Sequence, residues 1–190
     1  MAQREQFDRR TSQRWRIEPE AFMSNFAEDS HPKETDLLYE IRWGRSPRTW
    51  KNFCRNDHPI HAEVNFLKNK LRMHSTTPCY ITWFLSWSPC GVCSRRIIEF
   101  LAKHHNVRLK ICVARLYRSY DKRNQEGLRN LDQSQVNISI MSRDDFFYCW
   151  RKFVNQQSGY CWRWHFLEHV YSEELYWIYS EELDQILESY

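Results

Sequence analysis

The stretch SWSPCGVC, residues 86–93, closes an apolar segment and brings two cysteines within three positions of each other. The segment CYITWFLSW (79–87) is almost wholly apolar and predicts a strand buried inside a sheet. The segment CGVCSRRIIEFLAKH (90–104) predicts a helix on which Cys90 and Cys93 share one face. Such a pair fits a disulfide, half of a structural zinc site, or part of a catalytic metal centre.

Composition makes the disulfide the weakest of these interpretations. The chain has 190 residues, 42% of them hydrophobic and 16% aromatic, which suits one folded domain. Its start, MAQREQFDRR (1–10), lacks the apolar core of a secretory signal, and no apolar run approaches the ~18 residues of a membrane span. We therefore expect an intracellular protein, cytoplasmic or nuclear, with no membrane partner. The cysteine count of seven is odd, which also argues against a disulfide framework.

Charge is unevenly distributed although the net charge is only +4. Residues 168–190 contain seven acidic side chains and no Lys or Arg, so all 28 basic residues precede them. A basic body suits a polyanionic partner such as nucleic acid, although a solvated charged surface explains the same pattern. We predict a basic arm over residues 1–16 and a single domain over 17–190, ending in an acidic helix at about 165–188.

Periodicity predicts an alternation of helices and strands after an N-terminal hairpin. The expected strands are 36–43, 49–54, 79–87, 107–116 and 136–141, and the expected helices are 19–26, 61–73, 90–104, 121–131, 143–154 and 165–188. This order predicts an α/β fold, a five-stranded mixed β-sheet flanked by about six helices, whose last strands run parallel.

The same layout brings a histidine to the two cysteines. The helix at 61 runs away from one sheet edge and the strand at 79 returns to it, so His61, Cys90 and Cys93 should meet there. One imidazole and two thiolates leave a coordination place for water, as in a catalytic zinc site, whereas a structural site needs a fourth ligand such as Cys79 or His58. Glu63, on the first turn of the same helix, can take a proton from that water.

The combination of H-A-E, 25 further residues and P-C-G-V-C is the signature of the zinc nucleobase deaminases. Together with the SWSPCGVC segment, it resembles the AID/APOBEC polynucleotide cytidine deaminases. The resemblance extends over about residues 17–165, and LLYEIRWG (37–44) and CWRKFVN (149–155) look most similar to the apolipoprotein-B messenger-RNA-editing branch.

This resemblance implies the cytidine deaminase fold and the hydrolytic deamination of cytosine to uracil in single-stranded DNA or RNA. It implies one catalytic Zn²⁺ held by His61, Cys90 and Cys93, with Glu63 as the catalytic residue. It also leaves open an auxiliary RNA-binding protein and a homodimer as partners.

Residues expected to contact the target nucleotide, by the same resemblance, are Asn56, Ala62, Trp87, Ser88, Arg115 and Tyr117. Asn56 should contact the sugar, Trp87 should line the base pocket, and Tyr117 should flank the cytosine. Arg115 either supports its loop or approaches a phosphate. The alternative for Trp87 is ordinary core packing.

Selection of the neighbouring base is expected in two loops. Arg118 and Ser119 lie in RLYRSY (115–120), where the family varies, and Lys33 lies in AEDSHPKETD (27–36), which carries more acids than bases. The alternative for Arg118 is an exposed charge without a partner.

Three other functions are alternatives to this one. A catalytically silent nucleic-acid-binding module on the same fold is opposed by the intact Glu63, which such a module does not need. A deaminase of free nucleosides is opposed by the WSPC context, the basic body and the RLYRSY loop. A transfer-RNA adenosine deaminase shares H-A-E, but the SWSPC segment does not resemble that group.

Overall fold

The computed structural model describes residues 15–27, 30–71, 77–155 and 170–189. Within these ranges the elements, in chain order, are α1 (Pro19–Phe26), β1 (Asp36–Trp43), β2 (Thr49–Arg55), α2 (Ala62–Asn65, continued by a π-helical turn, Phe66–Lys70), β3 (Cys79–Leu85), α3 (Gly91–Leu101), β4 (Val107–Val113), α4 (Lys122–Gln133), β5 (Asn137–Ile140), α5 (Arg143–Phe153) and α6 (Glu173–Glu188). The expected α/β fold with a five-stranded mixed sheet is confirmed, and the described ranges contain six helices.

The strands form one sheet in the order β2–β1–β3–β4–β5. β1 is antiparallel to β2 and β3, whereas the pairs β3–β4 and β4–β5 are parallel, as expected of the last strands. Because parallel strands end at the same edge, the segments that follow β3 and β4 lie side by side. There the Ser88 amide donates a hydrogen bond to the Arg115 carbonyl at 2.8 Å. This edge carries the candidate site.

The sheet separates two apolar clusters, because successive side chains of a strand point to opposite faces. Trp83 belongs to the cluster under α2, α3, α4 and α6, and Phe84 belongs to the cluster under α1 and α5. Phe66 packs edge-on against both Tyr39 and Trp83, with ring centroids 4.6 and 5.1 Å apart. Burial of one such side chain contributes about 1.5–3 kcal/mol, so these aromatic contacts fix α2 on the sheet.

The helix expected over residues 61–73 is shorter than predicted and changes type. After Asn65 the hydrogen bonds lengthen to five-residue steps, and the Leu71 amide donates to the Phe66 carbonyl at 3.0 Å. The widened turn buries both Phe66 and Leu71. Leu71 is extended and ends the helix, and residues 72–76 lie outside the described ranges. Apolar spacing alone does not distinguish this turn from a continuing α-helix.

The predicted ends of the domain are only partly described. Residues 1–14 of the expected basic arm lie outside the described residues, as do residues 156–169. Arg16 donates a hydrogen bond to the Val154 carbonyl at 3.3 Å, and Ile17 pairs with the same residue. The acidic helix begins at Glu173 because the Ser172 hydroxyl accepts a hydrogen bond from the Leu175 amide at 3.2 Å and caps it.

Cys90 and Cys93 are separate thiols rather than a disulfide, and the other described cysteines are also free: Cys54, Cys79, Cys112 and Cys149. None of the helices in the described ranges combines the length and the apolar character needed to cross a membrane.

Helices α3 and α4 meet backbone against backbone. A Cβ atom on Gly127 would lie 2.9 Å from the Gly91 Cα and 2.9 Å from the Ser94 hydroxyl, and a Cβ on Gly91 would lie 2.5 Å from the Arg123 carbonyl oxygen. This contact leaves no space for a side chain. It therefore sets the position of the α3 N-terminus, which carries both cysteines.

We expect Gly127→Ala to lower the free energy of unfolding by about 1–2 kcal/mol, because overpacking costs up to about 3 kcal/mol and the gain in helix propensity is only about 1 kcal/mol. Denaturant unfolding monitored by circular dichroism measures the difference. Glu126→Ala, at an exposed neighbouring position of α4, is the control and should change stability by no more than about 0.5 kcal/mol. Equal stability of Gly127→Ala and the parent would contradict the close helix contact.

Candidate metal centre

The N-termini of α2 and α3 meet at the sheet edge where β3 ends. His61 precedes α2 as its N-cap residue, Cys90 precedes α3 in the same way, and Cys93 lies on the first turn of α3. The His61 Nδ1 atom lies 3.6 Å from the Cys90 Sγ and 3.4 Å from the Cys93 Sγ. All three ligand atoms lie within 4.8 Å of one another. The structure thus brings together the three residues predicted as ligands.

These separations fit a tetrahedral metal ion. Zinc bonds to imidazole nitrogen and thiolate sulfur have lengths that place the two atoms about 3.6 Å apart. Among the described residues the cluster has three members. The sequence offered Cys79 and His58 as candidates for a fourth ligand. Cys79 is fully buried in the core and His58 is hydrogen-bonded to Glu34 at 2.7 Å, so neither belongs to the cluster. The cluster can hold a metal ion with a place left for water.

The two cysteines differ in acidity. A hydrogen bond from Cys93 is the main reason that the pKa of Cys90 falls to about 5. The same hydrogen bond, together with burial, raises the pKa of Cys93. Cys90 also stands at a helix N-terminus, where the helix dipole favours an anion. Cys90 therefore presents a thiolate, the form in which cysteine binds a metal.

Glu63 is buried beside this cluster, with 2% of its surface exposed. Burial raises the pKa of its carboxyl group to about 7. Its Oε2 atom has no hydrogen-bond partner within the described part of the chain. A buried carboxylate oxygen without a partner costs free energy, so Oε2 is an unsatisfied acceptor beside the three candidate ligand residues.

Asn56 orients the start of α2. Its Oδ1 atom accepts a hydrogen bond from the Ala62 amide at 2.9 Å, and the Ala62 carbonyl accepts one from the Cys54 thiol at 3.6 Å. Ala62 is fully buried. Ala62 follows His61 directly, and this hydrogen bond brings Asn56, five positions before His61, to the same helix start.

Trp87 and Tyr117 form an aromatic corner near the cluster. Their ring centroids lie 6.1 Å apart at an interplanar angle of 75°, and both rings are half-buried. The Trp87 indole donates a hydrogen bond to the Pro32 carbonyl at 3.0 Å, and the Ser88 hydroxyl accepts one from the Tyr117 amide at 2.8 Å. The structure thus places Trp87 at the sheet edge, outside both apolar core clusters.

Arg115 is buried, and its guanidinium contacts main-chain atoms. It donates to the carbonyls of Asn25 and Ser86 at 2.9 and 3.1 Å, to the carbonyl of Ala27, and to the Ser30 hydroxyl at 2.5 Å. These contacts join Arg115 to the segments around Ser30 and Ser86 rather than to the RLYRSY loop. Support of that loop and contact with a phosphate both stay predictions.

The three residues predicted to select the neighbouring base lie at or near the surface. Lys33 and Arg118 are exposed and Ser119 is half-buried. Arg118 stands over the Tyr117 ring, 5.4 Å from its centroid. A groove of about 790 Å³ begins at His61 and Cys90, passes Tyr117 and Arg118, and runs between α3 and α4. The structure thus places Arg118 on the groove that leads to the cluster of His61, Cys90 and Cys93.

Two residues near this groove escaped the sequence analysis. Asn124 is buried and joins three backbone groups, and Tyr120 is 80% exposed at the end of the RLYRSY loop. Asn124 sits in a polar helical segment, KRNQEGLRN (122–130), where nothing marks it as different from its neighbours. Tyr120 could have been noticed as an aromatic residue in a polar loop, since exposed aromatic side chains favour base stacking.

Comparison with known proteins defines the class of this fold and site. The family model described as APOBEC4-like AID/APOBEC deaminase matches residues 25–156, more than half of the chain. The chain therefore belongs to the AID/APOBEC deaminase family, as the motif resemblance predicted.

Individual relatives narrow this class. The chain is 50% identical over 145 residues to the C->U-editing enzyme APOBEC-1 of Mus musculus, covering 75% of this chain and 63% of that protein. It is 46% identical over 149 residues to the protein of the same name from Homo sapiens, covering 77% and 63%. It is 33% identical over 129 residues to the DNA dC->dU-editing enzyme APOBEC-3H of Pongo pygmaeus, covering 67% and 61%. The chain thus spans less than two thirds of the length of these relatives, and the expected branch is confirmed.

We expect the purified protein to hold one metal ion per chain, and His61→Ala, Cys90→Ser and Cys93→Ser each to reduce this stoichiometry severalfold, because each removes one of three ligands. Inductively coupled plasma mass spectrometry on the dialysed proteins measures the metal. His58→Ala is the matched control, since His58 is exposed in the preceding loop and should leave the metal content unchanged. Full occupancy in all three ligand variants would disprove the site.

Proposed function

We propose that this chain is a zinc-dependent polynucleotide cytidine deaminase, which converts cytosine to uracil in single-stranded DNA or RNA. The observation that carries this proposal is the buried Glu63 carboxylate, whose Oε2 lacks a partner in the described structure, beside the cluster of His61, Cys90 and Cys93. The names of the relatives, C->U-editing and DNA dC->dU-editing enzymes, support the same reaction on RNA or DNA.

His61, Cys90 and Cys93 are the proposed zinc ligands, because their donor set and spacing suit this ion. When bound, zinc lowers the pKa of a water molecule towards neutrality. A set of three ligand residues within the described part of the chain supports a site that takes water.

Glu63 is the proposed catalytic residue, and its task is to move a proton. In the overall reaction a water oxygen forms a bond to C4 of cytosine and the bond from C4 to the exocyclic nitrogen breaks. Glu63 takes one proton from the water and delivers it to the ring nitrogen next to C4, where it stays in uracil. It then carries the second proton, from the new C4 hydroxyl, to the leaving amine, so uracil and ammonia are the products. Burial holds the carboxylate in place for these transfers.

Trp87 and Tyr117 are the proposed walls of the pocket for the extruded base. Their half-buried, nearly perpendicular rings offer one face and one edge to a flat ligand. Asn56, Ala62 and Ser88 are proposed to line the sugar and base positions, since they neighbour His61 or support Tyr117.

Lys33, Arg118 and Ser119 are proposed to select the neighbouring base, and Arg115 to hold the loop between α1 and β1 in the shape this requires. The exposure of Lys33 and Arg118 supports contact with a strand that crosses the sheet edge. A cationic groove with aromatic side chains is the usual combination for binding a single strand.

We further propose an intracellular location, in the cytoplasm or nucleus, which the free thiols of the described cysteines support. The domain over residues 17–190 with a basic arm over 1–16, an auxiliary RNA-binding protein and a homodimer remain parts of the same proposal. Imaging of a fluorescent fusion with and without residues 1–16 tests whether the arm directs nuclear entry.

We expect Glu63→Gln to lower deamination of single-stranded DNA and RNA by about 10²–10⁴-fold, because glutamine keeps the shape but cannot carry the proton. Sequencing of oligonucleotides with cytosine in every neighbouring context measures the uracil formed. Glu20→Gln, an exposed change on α1, is the control. Uracil formation by Glu63→Gln at the parent rate would overturn the proposed role, and the absence of uracil in the parent reaction would favour a silent binding module.

We expect Trp87→Ala to weaken binding of a cytosine-containing single strand by about 1–3 kcal/mol, the value of one base stacked on an aromatic ring. Fluorescence anisotropy in the Glu63→Gln background measures the dissociation constant without turnover. Trp50→Ala is the matched control, because Trp50 is 71% exposed on β2, at the edge of the sheet. An equal loss in both variants would speak against a base pocket at Trp87.

A further inference from the structure

Asn124 connects the metal cluster to the loop proposed to read the neighbouring base. Its Oδ1 atom accepts a hydrogen bond from the Gly91 amide at 2.9 Å, immediately after the ligand Cys90. Its Nδ2 atom donates to the carbonyls of Tyr117 and Arg118 at 3.1 and 3.3 Å. One side chain with 7% of its surface exposed therefore joins the first residue of α3 to two residues of the RLYRSY loop.

Only an amide side chain satisfies these three groups together. The Gly91 amide needs an acceptor, and the two carbonyls need donors, which asparagine supplies from opposite ends of one rigid plane. Rotating the amide by half a turn would set oxygen against the carbonyls and the NH₂ group against the Gly91 N–H. The network thus fixes the orientation of Asn124.

The loop that Asn124 holds contains a strained residue. Arg118 has a φ angle of 43°, in the left-handed region that side chains other than glycine rarely adopt. Such a conformation persists only where the surroundings determine it, at a cost of about 1–3 kcal/mol. The Arg118 carbonyl accepts hydrogen bonds from the Asp121 amide at 2.9 Å and from Asn124, which hold this conformation.

The opposite end of the connection is equally constrained. Gly91 lies in the backbone contact between α3 and α4, where no Cβ fits on either glycine. A shift of Asn124 is therefore transmitted to the loop rather than absorbed by α3.

We propose that Asn124 is a positioning residue for neighbouring-base selectivity: it fixes the Tyr117–Arg118 segment at a set distance from the metal cluster. This inference rests on the proposed function. It adds a residue that affects which base next to the target cytosine the site prefers. Loss of the two Nδ2 donors should let the loop adopt several positions, so that strands with different neighbours bind more equally.

The test is a set of dissociation constants for four oligonucleotides that differ only in the base 5′ to a single cytosine. They are measured in the Glu63→Gln background, alone and with Asn124→Asp, which keeps the acceptor for Gly91 but removes both donors. The expected result is a drop of at least threefold in the ratio between the weakest and the tightest oligonucleotide. Zinc content should stay at the parent level. Asn52→Asp, the same change at an exposed position of β2 outside the groove, should alter neither the ratio nor the zinc content.

A structural role alone would give a different outcome: the melting temperature falls, all four oligonucleotides weaken equally, and the ratio is unchanged. That result overturns the proposal. Hydrogen exchange provides a readout without nucleic acid, because the Asp121 amide should exchange faster in Asn124→Asp while the amides of β4 do not. Unchanged exchange at Asp121 would also contradict the inference.

If Asn124→Asp does not fold, the ratio of dissociation constants is measured with Asn124→Ser, whose hydroxyl can still accept a hydrogen bond from the Gly91 amide. Failure of both variants to fold contradicts a role in selectivity. A parent that binds strands without preference also contradicts it. A parent that binds no strand at all contradicts the proposed function itself, which separates the two failures.

Discussion

The structure depends on the meeting of two helix N-termini at one edge of the sheet. His61 and Cys90 belong to segments 29 residues apart, yet the imidazole and thiol atoms lie 3.6 Å apart because α2 and β3 form an out-and-back path. The packing of Phe66 against Trp83 fixes one helix, and the glycine contact with α4 fixes the other. A ligand cluster needs positions accurate to a few tenths of an ångström, which rigid helices anchored on a sheet provide better than loops.

Around this rigid centre, hydrogen bonds hold the loops in addition to apolar packing such as that of Leu116 in the core. Ser88 holds Tyr117, Trp87 holds Pro32, and Asn56 holds the start of α2. Each bond contributes only about 0.5–1.5 kcal/mol, but a buried group left unpaired costs more than that. These hydrogen bonds hold the loops in place beside the groove, and they do so without large side chains that would fill it.

The sequence predicted the parts of the molecule that depend on spacing. The parallel last strands and the grouping of His61 with Cys90 and Cys93 follow from element lengths, which residue patterns reveal. What it missed depends on contacts made across the fold. The π turn at Phe66 arises from packing on two aromatic rings, and the role of Asn124 arises from backbone groups of distant segments. Likewise, the start of α6 at Glu173 reflects a cap at Ser172, which the pattern of apolar residues does not reveal.

The hydrogen bonds of Arg115 determine how freely the amino-acid sequence of the segment between α1 and β1 can change. It binds carbonyl oxygens of Asn25, Ala27 and Ser86, which every amino acid possesses, and one side chain, the Ser30 hydroxyl. The segment between α1 and β1 can therefore accept many substitutions at positions other than Ser30 while its path past the guanidinium stays the same. An exchange of this loop between family members would best have its junctions before Asn25 and at the start of β1, so that the incoming backbone offers the same oxygens to Arg115.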